Sequence, residues 1–168
     1  MRRNWTDRNT IVANLFNPAF CAEIIRVVAM EYNKHTNTKF PFAFSFIVLP
    51  ILLHKETRER LPRSTRTYFF VWVGNNDNLF FDFSKRAKNM VKYTKEALSF
   101  SIAYNKMHIN EKGEIETDMS RVKKFNGEEY DEYNDILKKA QLLGKWLSFT
   151  TDVKSIYSFL RITPYLCK

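Results

Sequence analysis

The chain has 168 residues and a mass of 20.0 kDa, enough to bury about 70% of its unfolded surface without a disulfide or metal staple. Its 15 Phe, 8 Tyr and 3 Trp stand against only 4 Gly and 5 Pro, which favours long helices over a turn-rich all-β fold. The net charge of +9 and pI near 9.6 suit nucleic acid, an acidic protein or an anionic membrane surface without choosing among them.

Residues 1–13 read as a polar lead-in with Trp5, Ile11 and Val12 as docking points. Two arginines with no apolar stretch behind them do not make a signal peptide. Asn17 followed by Pro18 is a helix start, cap then first residue. The predicted helix runs to about Tyr32 and buries Phe20, Ile24, Val27 and Val28, with Glu23 and Arg26 paired outside. A polar loop, 33–39, leads into an apolar run, 40–53, broken only by Pro41, Ser45 and Pro50. Apolar all round, this run belongs inside the protein. Pro41 is expected as a first helical residue, and Pro50 is expected to kink or restart the helix. The run is too short to span a bilayer, so no membrane partner is expected and the protein reads as cytoplasmic.

At His54 the chain turns basic: Lys55, Arg58, Arg60, Arg63 and Arg66 fall within twelve residues, the densest positive segment of the sequence. Either this is a solvated loop or it meets phosphates or an acidic partner. Residues 68–73, YFFVWV, would suit a strand by composition, but helical surroundings favour a short buried helix. GNNDN at 74–78 is a break.

Residues 79–90 place Leu79, Phe80, Phe83, Ala87 and Met90 inside and Asp82, Lys85, Arg86 and Lys88 outside. A turn is expected at 91–93, then a second helix from 95 to 105 capped by Thr94. Met107 to Ile109 and Glu114 to Glu116 flank a four-residue turn ending in Gly113, a hairpin pattern. Helix, turn, helix and hairpin together give a winged helix-turn-helix-like element over about 79–116. Its outward Lys85, Arg86, Lys88, Lys92, Lys95 and Ser99 are the candidate contacts to DNA or a partner. Glu111, Glu114 and Glu116 on the wing would repel phosphate, which favours a protein-docking use. The last third reads as a helical segment, about 128–160. It comprises a long amphipathic helix, with Tyr130, Tyr133, Leu137, Ala140, Gly144 and Leu147 on one face, and a short one capped by Asp152. The fold class is therefore mainly α (α+β), in one domain spanning 1–168.

The search for chemistry returns little. The three histidines are far apart, and neither cysteine has a second Cys or His at metal-ligand spacing. Cys21 and Cys167 read better as two buried thiols in a reducing compartment than as one disulfide. No phosphate-cradling glycine motif and no nucleophile elbow occur. The acidic clusters at 114–118 and 128–135 fit helix-dipole and solubility roles better than metal binding. No catalytic residue, metal or cofactor is assigned.

Four stretches carry a family resemblance: ANLFNPAF (13–20), PFAFSFIVLPILLHKETRERLP (41–62), KYTKEAL (92–98) and QLLGKWL (141–147). Together they resemble the middle component of bacterial three-component ABC systems, related to the accessory subunit of Lamassu-type antiphage defence. The most specific part is the pattern Leu49-Pro50, Leu53-His54-Lys55, Thr57-Arg58 and Leu61-Pro62. The resemblance implies a non-catalytic adaptor that docks on an SMC/Rad50-like ABC ATPase and couples DNA sensing to an effector subunit such as a nuclease. ATP and Mg²⁺ would belong to the ATPase. It leaves open whether this subunit itself touches double-stranded DNA. His54, Lys55, Thr57 and Arg58, with Arg60, Arg63 and Arg66, are the expected partner- or phosphate-binding residues. The alternative for His54 and Thr57 is to stitch the exit from the buried helix. The alternative for the whole chain is a free-standing winged-helix DNA-binding regulator.

Overall fold

The computed structural model describes residues 16–150 and 152–163, so the expectations for Trp5, Ile11, Val12 and Cys167 lie outside the described residues. Helix α1 (Pro18–His35) starts as its sequence dictates, with Asn17 Oδ1 accepting from the Ala19 amide at 2.9 Å. It is buried nearly all round, from Cys21 to Tyr32 except Glu23 and Glu31, because helices and sheet pack on it from several sides. Arg26 is therefore inside, not on the solvent face expected for it. Its guanidinium grips both Glu23 carboxylate oxygens at 2.7 Å and donates to the carbonyls of Asp118 (2.8 Å) and Ser120 (3.1 Å). A buried cation is tolerable only when its donors are taken up in this way. Burial, reinforced by the charge of Glu96, pushes the Cys21 thiol up to about 12.

Pro41 does not open a helix. Phe40–Pro41 form β1, an edge strand paired with Ile115 and Glu114 of β3, a position where a missing N–H costs nothing. Asn33 fixes this corner, accepting from the Phe40 amide (2.7 Å) and donating to the Ile115 carbonyl (3.1 Å). A 3₁₀ turn (Phe42–Phe44) leads directly into α2 (Ser45–Leu52), which contains Pro50 without a break. Ile47, Val48, Leu49, Ile51 and Leu52 are fully buried. At about 1.5–3 kcal/mol per buried large apolar side chain, packing outweighs the ~3 kcal/mol penalty of an internal proline.

The expected helix-turn-helix is replaced by one helix. After α3 (Lys55–Glu59), α4 (Phe69–Asn75) and a 3₁₀ turn (Asp77–Phe80), α5 runs unbroken from Phe83 to Ala103, straight through the predicted turn at 91–93. Thr94 is no cap; it is buried in mid-helix. The inward positions Phe83, Ala87, Met90, Thr94, Ala97, Leu98 and Ser101 keep a three-and-four spacing throughout, so one face stays in the core without interruption. The hairpin is present: β2 (Met107–Ile109) pairs antiparallel with β3 (Glu114–Thr117), and β3 is central in a sheet ordered β1-β3-β2. Gly113 closes the turn at φ 72°, a left-handed conformation that glycine adopts freely.

A 3₁₀ turn (Glu128–Tyr130) precedes α6 (Asp131–Leu147), whose Leu137, Ala140, Gly144 and Leu147 are buried as expected; Tyr130 is exposed. Helix α7 (Val153–Phe159) is capped by Asp152, which accepts from the Lys154 and Ser155 amides. Trp146 links α6 to α4, its ring against Phe69 and Trp72 and its Nε1–H donating to the Thr67 carbonyl at 2.7 Å. Tyr157 ties α7 to the start of the buried run through the Ala43 carbonyl. Among the described residues, no helix is long and apolar enough to cross a membrane.

Candidate docking surface

The turn from α2 into α3 determines where the basic segment points. His54 caps α3: its Nδ1 accepts from the Thr57 amide at 3.3 Å and lies 2.7 Å from Thr57 Oγ1. Arg86 of α5 donates to that same Oγ1 at 3.3 Å and to the Leu79 carbonyl at 3.3 Å. Because the Thr57 amide can only donate, Nδ1 is the unprotonated nitrogen, and the Thr57 hydroxyl, which accepts from Arg86, donates its own proton to it. The imidazole is thus neutral at Nδ1, with its proton on Nε2. Burial first, then the Arg86 charge, lowers the His54 pKa. Burial also lowers that of Arg86. His54 and Thr57 therefore hold each other at the helix exit.

Arg58 faces inward with only 4% of its side chain exposed. It donates to the Leu52 carbonyl (2.9 Å) and to Glu132 (2.6 Å), with Asp135 of α6 at 3.5 Å. Thr57 and Arg58 thus have their polar groups committed to the fold rather than offered to a partner. Lys55 and Arg60 are exposed and pair with Glu59 (3.8 Å) and Glu56 (2.9 Å) on their own side of the molecule. Arg63 and Arg66 are exposed on the following loop.

Two sequence-predicted groups do converge. His54 joins Lys85 and Arg86 around an open cleft of about 830 Å³ between the start of α3 and the N-terminal half of α5. Its wall is apolar through Leu53, Leu79 and Met90, with Glu56 and Asp82 on the rim. Phe81 stands over it with 75% of its surface exposed. Sequence reasoning missed this phenylalanine, though a signal existed. Phe80, Phe81 and Phe83 cannot all face inward on one helical turn, and Phe81 is the one out of phase with Phe80 and Phe83. Continuity of α5 also aligns Lys85, Lys88, Lys92, Lys95 and Ser99 at three- and four-residue steps on its exposed face. The element expected to offer a separate second helix to DNA or a partner instead presents one continuous basic stripe, with the cleft at its N-terminal end.

Neither curated proteins nor solved structures yield a match to this chain. Residues 5–164 match the family model described as ABC-three component (ABC-3C) system Middle Component 3. Nearly the whole sequence is covered, including the buried run, the His54 cap and the helices that frame the cleft. The chain belongs to this family of middle components of three-component ABC systems.

Proposed function

We propose that this middle component is a non-catalytic adaptor that docks on an SMC/Rad50-like ABC ATPase and links it to an effector such as a nuclease, in a system of the Lamassu type. The observation that supports a docking role is Phe81, a large aromatic ring left in solvent beside a cleft edged by His54, Lys85 and Arg86. A mostly exposed aromatic beside cations is the composition of a binding hot spot. It stands in the turn into α5 between the buried Phe80 and Phe83, which hold that turn in place and reduce the cost of ordering it. A free-standing regulator would need a separate recognition helix, and the unbroken α5 provides none.

Co-expression with the ATPase and effector encoded beside it, followed by pull-down at moderate salt, tests the reading. The wild-type chain is expected to bring down the ATPase. Phe81→Asp combined with Lys85→Glu is expected to lose it while the circular dichroism spectrum stays unchanged. Failure of the wild type to retain the ATPase refutes the adaptor role. Retention by the double variant refutes this cleft as the contact.

A further inference from the structure

We infer that a second cleft, between α6 and the loop at 61–67, grips the phosphodiester backbone of nucleic acid. The loop is clamped to α6 at both ends: Lys139 donates to the Leu61 carbonyl at 3.2 Å, and Trp146 to the Thr67 carbonyl at 2.7 Å. Held this way, its tip brings Arg63, Ser64 and Thr65 over a cavity of about 600 Å³, opposite Lys138, Gln141 and Lys145 of α6.

Charge bookkeeping decides what the cavity takes. Of its two acids, Glu31 is paired with Lys34 (3.2 Å), and Asp135 shares Arg58 (3.5 Å) with Glu132, so one partly compensated carboxylate faces the cavity. The side chains of Arg63, Lys138 and Lys145 have no hydrogen bond or ion pair among the described residues, nor do the hydroxyls of Ser64 and Thr65. The cleft therefore presents four cations, three of them with free donors and Lys139 held to a neutral carbonyl, against one partly compensated carboxylate, together with two hydroxyls and an amide. That is the donor set that contacts phosphate oxygens and sugars without reading sequence. Lys138 and Lys145 are seven residues apart, about 10 Å along one helix face, too far to serve a single phosphate. A row of phosphates fits them. The α5 stripe is the weaker candidate, since Lys92 lies over its own neighbour Tyr93 at 5.9 Å and Lys85 shares its cleft with Glu56 and Asp82. This inference does not depend on the adaptor reading.

Fluorescence anisotropy with the full chain tests it, using a short random-sequence duplex DNA and a single-stranded RNA as separate labelled probes. If three phosphates are neutralised, affinity for duplex DNA falls roughly 40-fold between 50 and 200 mM salt. The triple variant Arg63→Gln, Lys138→Gln, Lys145→Gln is expected to lose most of that dependence and most of the binding. The charge-matched variant Lys112→Gln, Lys123→Gln, Lys124→Gln is expected to keep both. Binding of either probe in this pattern supports the site and identifies which nucleic acid supplies the phosphates. Absence of binding to both probes overturns it, as does an equal loss in the charge-matched variant. So does a loss that follows Lys85→Gln, Lys92→Gln, Lys95→Gln in place of the α6 set. Displacement by polyglutamate as effectively as by unlabelled nucleic acid also overturns it, in favour of an acidic protein.

Discussion

The relay from Arg86 through Thr57 to His54 has direction, and direction makes it sensitive to protons. His54 Nδ1 works as an acceptor, so protonation there would replace an attraction to the Thr57 amide with a repulsion and set a second cation beside Arg86. Its folded-state pKa therefore lies below the ordinary 6.5, burial being the first cause and the Arg86 charge the second, with Glu56 opposing them. Between the folded value and 6.5 the unfolded chain binds more protons than the folded one. Stability contributed by His54 is thus fully present above about 6.5 and is lost as pH falls toward the folded value. Urea titrations of the wild type and of His54→Asn, which retains a capping acceptor, should diverge below about pH 6.5, with only the wild type losing midpoint through that window. Parallel curves would mean that the cap does not titrate.

At the scale of elements, the tightest junction is the crossing of α1 and α6. Gly144 sits so close to α1 that an added Cβ would lie 2.3 Å from the Val28 carbonyl oxygen and 2.9 Å from Glu31 Cβ. Alanine in mid-helix ordinarily gains about 1 kcal/mol over glycine, but here the obstacle is backbone, which cannot swing aside. Gly144→Ala is expected to cost about 2 kcal/mol net, the overpacking penalty exceeding the propensity gain. Chemical denaturation would detect it as a lower midpoint at unchanged slope. A stabilised variant would show that the two helices can separate cheaply.

What was legible at this scale follows from how local each cause is. The caps at Asn17 and Asp152 and the hairpin turn at Gly113 depend on a few adjacent residues, and they stand where the sequence places them. The turn at 91–93 was a misreading of information already present, since Met90, Thr94, Ala97 and Leu98 continue the helical period and no Gly or Pro interrupts it. Pro41 and Pro50 were not decidable locally. Their fates depend on β3, 73 residues beyond Pro41 in the case of Glu114, and on the core that encloses α2. Of the candidate site, the basic segment was visible, but its division was not. The inward turn of Arg58 depends on Glu132 and Asp135, and the partners of Arg63 in its cleft lie on α6.

At the largest scale, the connections that join distant segments predict that the described residues unfold as one cooperative unit. Phe80 meets Phe83 at a tilt (5.4 Å) and Trp72 edge-on (5.5 Å), and Trp72 meets Trp146 at 5.4 Å, so one aromatic chain passes from α5 through α4 to α6. Arg58 pins α3 to α6, Arg26 pins α1 to the segment after the sheet, and Tyr157 pins α7 to the entry of α2. No described helix buries its apolar face without a partner far away in sequence, so loss of one exposes the core of another. Thermal unfolding followed by far-UV circular dichroism, which reports all helices, should coincide with unfolding followed by fluorescence of the buried Trp72 and Trp146, which reports only the aromatic junction. Trp5→Phe removes the remaining tryptophan and makes the second probe specific to that junction. Midpoints that agree support a single domain. Early loss of fluorescence with helicity retained would instead split α4 and α7 from a core of α1, α2, α5 and α6.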